Sequence, residues 1–193
     1  MPKTSNRDRI LTEGLRVVHE RGFANASVRD IVQAAGVPQG SFTNHFASKE
    51  AFGLEIIEIY YDNSRRNIAE TLRNDARDPL ERLAAYIELT KERMNLNSMR
   101  NGCLMGNFTA DSAENSEPIR RRLVEAFAET REGFAYCLRA AIAAGEVKPT
   151  LDTNEIAGFI VSSLQGAILL SKAHQSPEPI ERFKRVLFAT VLT

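Results

Sequence analysis

The chain of 193 residues has no tryptophan and only two cysteines and three histidines. Two cysteines cannot form the disulfide framework of a small secreted domain, so we expect a reducing, cytoplasmic setting. The histidines, His19, His45 and His174, are too scattered to form a metal site with the cysteines, and we expect no metal or other cofactor. No apolar run approaches the roughly 18 residues that span a bilayer. The N-terminal segment MPKTSNRDRI lacks the apolar stretch of a secretory signal, and we expect no membrane partner.

The chain also lacks a net charge, with 25 Lys and Arg against 25 Asp and Glu. This average hides an asymmetry. Residues 1–49 carry seven basic and four acidic residues, a net charge of +3, whereas residues 50–193 carry 18 and 21, a net charge of −3. A basic segment on an acidic body is typical of a module that binds a polyanion. The asymmetry therefore indicates a polyanion-binding segment within 1–49, which a sequence motif has to support.

No run of residues alternates as a β-strand does, and apolar residues recur with helical spacing almost throughout. Helix starts are indicated where Ser or Asp precedes Pro or an acidic residue, and Gly36 and Gly145 lie where helices are expected to end. The pattern predicts an all-α fold with about nine helices.

Two short helices near the N-terminus have the spacing of a helix-turn-helix. Ser27 and Asp30 resemble a capping box, and the turn at Gly36 precedes a helix predicted over residues 39–46. Val32 and Phe42 are expected to pack the two helices together.

The segment SVRDIVQAAGVPQGSFTNHFASKEAF, residues 27–52, resembles the DNA-binding region of the TetR family of bacterial transcriptional regulators. The resemblance implies a helix-turn-helix DNA-binding domain in 1–49 and a ligand-sensing and dimerisation domain in 50–193. It further implies a homodimer that binds double-stranded operator DNA and responds to an effector. Two residues depart from the family pattern: Thr43 stands where the family usually has Tyr, and Val32 where it usually has Ala.

The second helix of this motif is expected to enter the major groove. The groove helix is predicted to contact bases or nearby phosphates through Gln39, Ser41, Thr43 and Asn44. His45 and Lys49, at and after the end of this helix, are predicted to contact phosphates. At the start of the first helix, the backbone N–H groups of Ser27, Val28 and Arg29 are predicted to bind another phosphate.

Residues 156–170 are apolar on nearly all sides and contain small residues that allow close helix packing. With the last helix they are expected to form a four-helix dimer interface. The predicted interface residues are Phe159, Ile160, Ser163, Gly166, Ala167, Phe183 and Leu187. The alternative is a helical hairpin that packs only within its own chain.

Cys103 lies between Gly102 and Gly106 in the segment RNGCLMGNFTA, residues 100–110. This segment resembles a TetR subgroup with a Gly-Cys-Leu-x-Gly-Asn cysteine, some members of which respond to electrophiles or oxidants. In that subgroup a lysine near the end of a long helix accompanies the cysteine, and Lys172 stands in the corresponding place. The competing interpretation is an inert buried thiol. Cys137 lies in an apolar helical stripe, and we expect it in the core.

A noncovalent effector is the other possibility. Seven large apolar residues are candidates for a pocket between helices, or else for plain core: Tyr86, Met94, Met99, Met105, Phe108, Phe127 and Phe134.

The sequence thus predicts a regulator of transcription, most simply a repressor that releases DNA when it binds a small molecule or when Cys103 is modified. The same two-state dimer is also compatible with activation of transcription, which stays an alternative to repression. We expect no enzyme, since a cysteine enzyme with Cys103 as nucleophile and His174 as base would leave the helix-turn-helix unexplained. A third class of function is that of a helical adaptor protein that has merely retained the helix-turn-helix.

Overall fold

A computed structural model describes residues 5–112, 114 and 116–193. In this part of the chain it contains helices and connections without strands, which confirms the all-α class. The helices are α1 (Asn6–Arg21), α2 (Val28–Ala34), α3 (Gly40–His45), α4 (Lys49–Glu70), α5 (Pro79–Asn95), α6 (Leu104–Ser112), α7 (Glu117–Ala143), α8 (Thr153–His174) and α9 (Glu178–Val186). A π-helical turn, Leu187–Val191, follows α9.

Polar caps determine where α2 and α8 begin. The Ser27 hydroxyl accepts a hydrogen bond from the Asp30 N–H over 3.1 Å, and the Asp30 carboxylate accepts one from the Ser27 N–H over 3.0 Å. This reciprocal pair is the predicted capping box. The Asp152 carboxylate caps α8 by accepting from the N–H groups of Asn154 and Glu155.

Left-handed residues end several helices. Gly36 after α2 has φ of +61° and Gly145 after α7 has φ of +73°, as predicted for helix ends. Ser98 after α5 and Gln175 after α8 adopt the same region with φ of +51° and +49°. Neither residue type marks this conformation in a sequence, so these two ends are found only in the structure.

The chain folds into two compact units. Unit 1 comprises the described residues of Met1–Asp62 together with Leu104–Val124, and unit 2 comprises Asn63–Cys103 and Glu125–Thr193. Unit 1 is larger than segment 1–49 because α6 and the start of α7 pack in it. The Phe108 ring stacks on Phe23 with centroids 4.7 Å apart, and the Ser116 hydroxyl donates to the Glu50 carboxylate over 2.6 Å.

The core of unit 1 is aromatic beside α3. Phe42, Phe46 and Phe52 are at most 3% exposed, and their ring centroids lie 5.1 to 5.3 Å apart. Gly14 on α1 packs onto this cluster, since a Cβ there would lie 2.4 Å from Cζ of Phe52. The cluster therefore holds α3 against a closely packed scaffold.

The core of unit 2 is built mainly of apolar residues from α5, α7, α8 and α9, together with Ile68 of α4 and Leu72. Leu83, Phe134, Ile160 and Ile180, one from each of these helices, are all 0% exposed. Tyr86 packs edge-on against Phe134 with centroids 4.9 Å apart. Aromatic and branched side chains thus fill the space between the four helices.

One helix is long and apolar enough to pass a length-and-composition test for a membrane span, although it contains no uninterrupted apolar run of about 18 residues. This helix is α8, which has 22 residues and contains an 18-residue window with a mean hydropathy of 1.5. Ala157, Ile160 and Leu164 bury one side of α8 in the core of unit 2. The core helix of a globular domain has this same composition, and α8 is such a core helix in unit 2.

Candidate nucleic-acid interface and thiol site

α2 and α3 form a helix-turn-helix within unit 1. α2 ends at Ala34, the chain turns through Gly36, and α3 begins at Gly40. Val32 and Phe42, one from each helix, are 4% and 2% exposed, and α1 contacts both helices. Three helices in this arrangement place the last one in the DNA major groove. α3 is therefore the candidate recognition helix.

Four of the polar residues predicted to contact DNA face solvent. Gln39, Thr43, Asn44 and His45 are all exposed at or along α3. The Thr43 hydroxyl donates to the Gly40 carbonyl over 3.1 Å, so this hydroxyl already has a partner within the helix. The exposed face presents amide groups of the kind that pair with adenine.

Ser41 is a correction. It is 9% exposed, and its hydroxyl accepts a hydrogen bond from the Asn6 side-chain amide over 3.5 Å. Ser41 therefore lies beside the buried Phe42, on the side of α3 that contacts α1. A hydroxyl buried against α1 cannot reach a base edge, so the predicted DNA contact by Ser41 is withdrawn.

The start of α2 presents Ser27 and Arg29 to solvent, with Val28 half-buried. The Ser27 hydroxyl is engaged in the capping box, and its hydrogen bond to Asp30 is the main cause that holds the pKa of that carboxyl below its usual range. Only the backbone and the Arg29 side chain at this helix end are therefore left for a phosphate.

Lys49 lies against its own unit. Its ammonium donates to the Ala24 carbonyl over 3.3 Å and sits 4.7 Å from the centroid of the Phe23 ring. Partial burial lowers the pKa of Lys49 below its usual value. The side chain predicted to contact a phosphate thus supports the turn between α1 and α2.

Most arginines of the basic segment are engaged within unit 1. Arg29 is exposed and forms no ion pair within the described ranges. Arg9 donates to the Gly36 carbonyl over 3.1 Å. The others pair with carboxylates, namely Arg7 with Glu55, Arg16 with Glu13 and Glu20, and Arg21 with Asp30. Except for Arg29, these arginines would therefore have to give up a partner within unit 1 to contact a phosphate.

Cys103 precedes α6 and is half-buried. The Gln165 side-chain amide on α8 donates to its Sγ over 3.7 Å. Lys172 lies seven residues further along α8, about 10 Å at the helical rise. Gln165 is thus a polar group that the structure brings to the thiol, and it was not predicted from the sequence. In the sequence, the only indication of this contact is that Gln165 is a polar residue within an apolar segment, two helical turns before Lys172.

Cys137 is buried in unit 2, as predicted for a core residue. Its thiol donates to the Pro79 carbonyl over 3.1 Å. Burial raises its pKa to about 11, which keeps the thiol protonated at neutral pH.

We expect N-ethylmaleimide to label Cys103 and to spare Cys137 in the folded protein at about pH 7.5. The thiolate is the reacting form, and well under about 0.1% of a buried thiol of this kind is ionised at that pH. Intact mass and peptide mapping after a brief exposure check this result. Cys103→Ser serves as the control and takes no label until guanidinium unfolds it. A single label on Cys137 would contradict the assignment.

The predicted dimer-interface residues lie on different sides of the C-terminal helices. Ile160, Ala167 and Leu187 are 0%, 7% and 1% exposed within the core of unit 2, so these three predictions are corrected. Ser163 and Phe183 are half-buried. A segment that is apolar on nearly all sides does not reveal which side its own chain covers.

The exposed side of α8 carries a continuous stripe, which we call the α8 stripe: Phe159, Ser162, Gly166, Leu169 and Leu170. Leu169 is 67% exposed and Leu170 is 50% exposed. A Cβ at Gly166 would meet no atom within 4 Å. Val186 on α9 is also 50% exposed. Leu169 and Leu170 lie within the predicted interface segment 156–170, although neither was singled out there.

The seven predicted pocket residues are divided between the units. Met105 and Phe108 belong to unit 1 and are 4% and 0% exposed. The other five belong to unit 2: Tyr86, Met94, Met99, Phe127 and Phe134. Phe134 and Met99 are 0% and 2% exposed, which is the behaviour of core residues.

A cleft of about 370 Å³ in unit 2 has a different lining: Glu88, Lys91, Glu181, Lys184, Arg185 and Phe188. Lys91 pairs with Glu88 over 2.7 Å and with Glu181 over 3.4 Å, and Lys184 pairs with Glu88 over 2.7 Å. The hydrogen bond from Lys184 is the main cause that lowers the pKa of Glu88. These charges satisfy one another and tie α9 to α5. In residues 5–112, 114 and 116–193, no three His, Cys, Asp or Glu side chains form a metal-binding group.

Comparison with known proteins gives consistent matches over the whole chain. The family model described as "Bacterial regulatory proteins, tetR family" matches residues 10–56, and the one described as "Tetracyclin repressor-like, C-terminal domain" matches residues 79–187. The chain is 34% identical over 192 residues to the HTH-type transcriptional repressor DhaR of Mycobacterium sp. (strain GP1), covering 100% of this chain and 95% of that protein.

Solved structures match equally well. The regulatory protein TetR from Rhodobacter sphaeroides has a TM-score of 0.91 at 29% identity and covers 96% of this chain and 98% of its own. The TetR family regulator CifR, solved as a cysteine-substituted variant with 26 bp of double-stranded operator DNA, has a TM-score of 0.81 at 24% identity. That match covers 96% of this chain and 98% of CifR, and at this identity it shows a shared fold.

Proposed function

The chain belongs to the TetR family of bacterial transcriptional regulators, and from this premise we propose that it is a homodimeric repressor that leaves a palindromic operator when Cys103 is modified. The observation that carries the DNA-binding part is the exposed polar face of α3 on a buried aromatic support. Gln39 and Asn44 present side-chain amides, each of which discriminates an adenine by about 1–3 kcal/mol when it bonds bidentately. Thr43 lies between them.

Phosphate contacts position this helix on the duplex. We assign them to His45 at the end of α3 and to the start of α2, where the backbone N–H group of Val28 and the Arg29 guanidinium are available. The Ser27 N–H already donates to the Asp30 carboxylate in the capping box. Because the other arginines of unit 1 are engaged, Arg29 is expected to supply much of the salt-dependent affinity.

A single helix-turn-helix reads too few base pairs for high affinity, and a dimer on a palindrome doubles the contacts. The α8 stripe and Val186 are the surface we assign to the partner subunit. Exposed leucines next to a glycine with no neighbouring atoms fit a second helix at close range. Two copies of α8 and α9 would then form a four-helix interface.

The proposed signal is the addition of the Cys103 thiolate to an electrophile such as an α,β-unsaturated carbonyl compound. A carbon–sulfur bond forms at the β-carbon, and the proton released by the thiol ends on the α-carbon, so neither a leaving group nor an oxidant is needed. The Gln165 amide donates to this sulfur over 3.7 Å, and Cys103 immediately precedes the first residue of α6. Lys172 adds positive charge on the same helix as Gln165.

An adduct on Cys103 occupies space directly before α6. We propose that it displaces this helix end and changes the separation of the two α3 helices in the dimer. Half-sites on B-DNA lie one turn, about 34–36 Å, apart, so a shift of a few ångströms removes contacts on both sides. In this proposal the protein acts in the cytoplasm, on the DNA of its own cell, and catalyses no reaction.

The experiment is a binding titration on DNA from the region upstream of its own gene. We expect tight binding that weakens steeply with NaCl, by a log–log slope of about −0.9 for each phosphate contact. N-ethylmaleimide should release the wild type and Cys137→Ser, whereas Cys103→Ser should stay bound. If Cys103→Ser is also released, the thiol is not the sensor, and a noncovalent effector for unit 2 replaces it. If no salt-dependent binding occurs, the DNA-binding assignment fails.

A further inference from the structure

The cleft between α5 and α9 in unit 2 has the size of a small-molecule site. Its volume of about 370 Å³ lies within the range of about 300–1,000 Å³ that is typical of ligand pockets in proteins. Its lining comes from α5, α9 and the π-helical turn: Glu88, Lys91, Glu181, Lys184, Arg185 and Phe188. A ligand in this cleft would contact all three elements.

The lining carries more positive than negative charge. Three basic residues stand against two acidic ones, a net charge of +1. The two carboxylate oxygens of Glu88 pair with Lys91 and with Lys184, each over 2.7 Å. Glu181 is held less closely, by Lys91 over 3.4 Å. The balance of charge therefore favours an anion over a cation in the cleft.

Arg185 stands outside this network of lysine contacts. Its Nη2 donates to the Glu178 carboxylate, two turns earlier on α9, over 3.1 Å. That contact uses one of the five N–H donors of a guanidinium, and the side chain is 63% exposed. A guanidinium matches a carboxylate in a planar, bidentate pair. Arg185 is therefore well placed to bind an anionic group that enters the cleft.

The π-helical turn places an aromatic ring beside these charges. The Leu192 N–H donates to the Leu187 carbonyl over 3.1 Å, and both leucines are at most 3% exposed. In a regular α-helix, residues five apart lie about 140° apart around the axis and would not both face the core. With Leu187 in the core, Phe188 is half-buried and lines the cleft. π-helical turns are rare and occur frequently at functional sites.

We propose that this cleft binds a small aromatic carboxylate, with its carboxylate on Arg185 and Lys184 and its ring against Phe188. The aliphatic stems of the lysines extend the apolar surface that the ring contacts. The incoming carboxylate displaces Glu181 from Lys91, because that contact is the longest of the lysine pairs in the cleft. The proposal goes beyond the DNA-binding and thiol assignments and depends on neither.

The test uses a fluorophore that this chain otherwise lacks. The sequence contains no tryptophan, so Phe188→Trp introduces a single reporter in the wall of the cleft. Titration with 3-phenylpropionate should change its emission saturably, and the uncharged 3-phenylpropionamide should bind at least about tenfold more weakly. In the wild type, 3-phenylpropionate should raise the unfolding temperature, which shows that the tryptophan did not create the site.

Substitutions on α9 should have opposite effects in this titration. Arg185→Gln, made in the Phe188→Trp chain, should weaken binding at least about tenfold because it removes a charged hydrogen bond. Glu181→Gln should strengthen binding, since it removes the charge that competes with the ligand. Arg182→Gln is the matched control and should stay within about twofold, because Arg182 pairs with the same Glu178 over 2.6 Å but lies outside the lining of the cleft.

Three results would each overturn the proposal. They are an unchanged unfolding temperature of the wild type with saturating 3-phenylpropionate, equal binding of the acid and the amide, and equal effects of Arg182→Gln and Arg185→Gln. Neither DNA nor Cys103 enters these measurements, so such a result leaves the proposed function intact. A loss of operator binding, in turn, would leave this site unaffected.

Discussion

Leu169→Glu converts the dimer into monomers and lowers operator affinity by at least about 100-fold, the usual range for losing one of two linked binding events. Leu169 is 67% exposed in the α8 stripe. In a two-fold interface the same residue occurs on both subunits, so the substitution buries two carboxylates in one apolar contact. Sedimentation velocity gives the oligomeric state, and anisotropy titration gives the affinity.

Leu96→Glu is the matched control for this result. Leu96 is 83% exposed but lies in the connection after α5, outside the α8 stripe. The same change of an exposed leucine to glutamate should there leave both the dimer and operator affinity unchanged. A dimeric Leu169→Glu variant, or a monomeric Leu96→Glu variant, would show that the α8 stripe is not the interface.

Asp75→Ala lowers the free energy of unfolding by about 3 kcal/mol, although the Asp75 side chain is 67% exposed. Its partner explains the size of the effect. The Arg82 guanidinium is 7% exposed and donates to Asp75 over 2.5 Å and to the Arg77 carbonyl over 2.7 Å. The Tyr136 hydroxyl also donates to Asp75 over 2.9 Å. Without Asp75, a buried positive charge retains only a neutral acceptor.

Urea unfolding at one protein concentration measures this loss, since the stability of a dimer depends on concentration. Glu132→Ala is the control: it removes the partner of Arg139, whose side chain is 48% exposed, and should cost less than about 0.5 kcal/mol. Combining Asp75→Ala with Arg82→Met removes the stranded charge and should recover most of the loss. Equal effects of Asp75→Ala and Glu132→Ala would refute this account.

Asp75 also illustrates where exposure misleads. By its own surface it is an ordinary exposed acid, for which truncation is usually within about 0.5 kcal/mol. The loss of stability comes from the buried Arg82 guanidinium, which loses its charged partner. The same logic applies to Lys49, whose charge suggested a phosphate contact but whose ammonium is bonded to the Ala24 carbonyl.

Local patterns were sufficient to predict the helices and the recognition motif. Ser27 with Asp30 and Asp152 before α8 indicate helix starts because their side chains satisfy N–H groups a few residues away. Gly36 indicates the turn between α2 and α3 because it adopts positive φ without steric cost. These interactions join residues close in the chain, so the sequence contains both partners. It thereby determined the all-α class, the helix-turn-helix and the family.

The tertiary structure alone decided which side of each helix is covered and which charges are compensated. Ser41 was predicted to face DNA but is buried, and within the predicted interface segment 156–170 Ile160 is buried whereas Leu169 is exposed. Cys103 meets Gln165, 62 residues away, and Asp75 meets Tyr136, 61 residues away. Such contacts depend on how helices distant in sequence pack together, and packing depends on the shapes of all the side chains at once. No local pattern records that information.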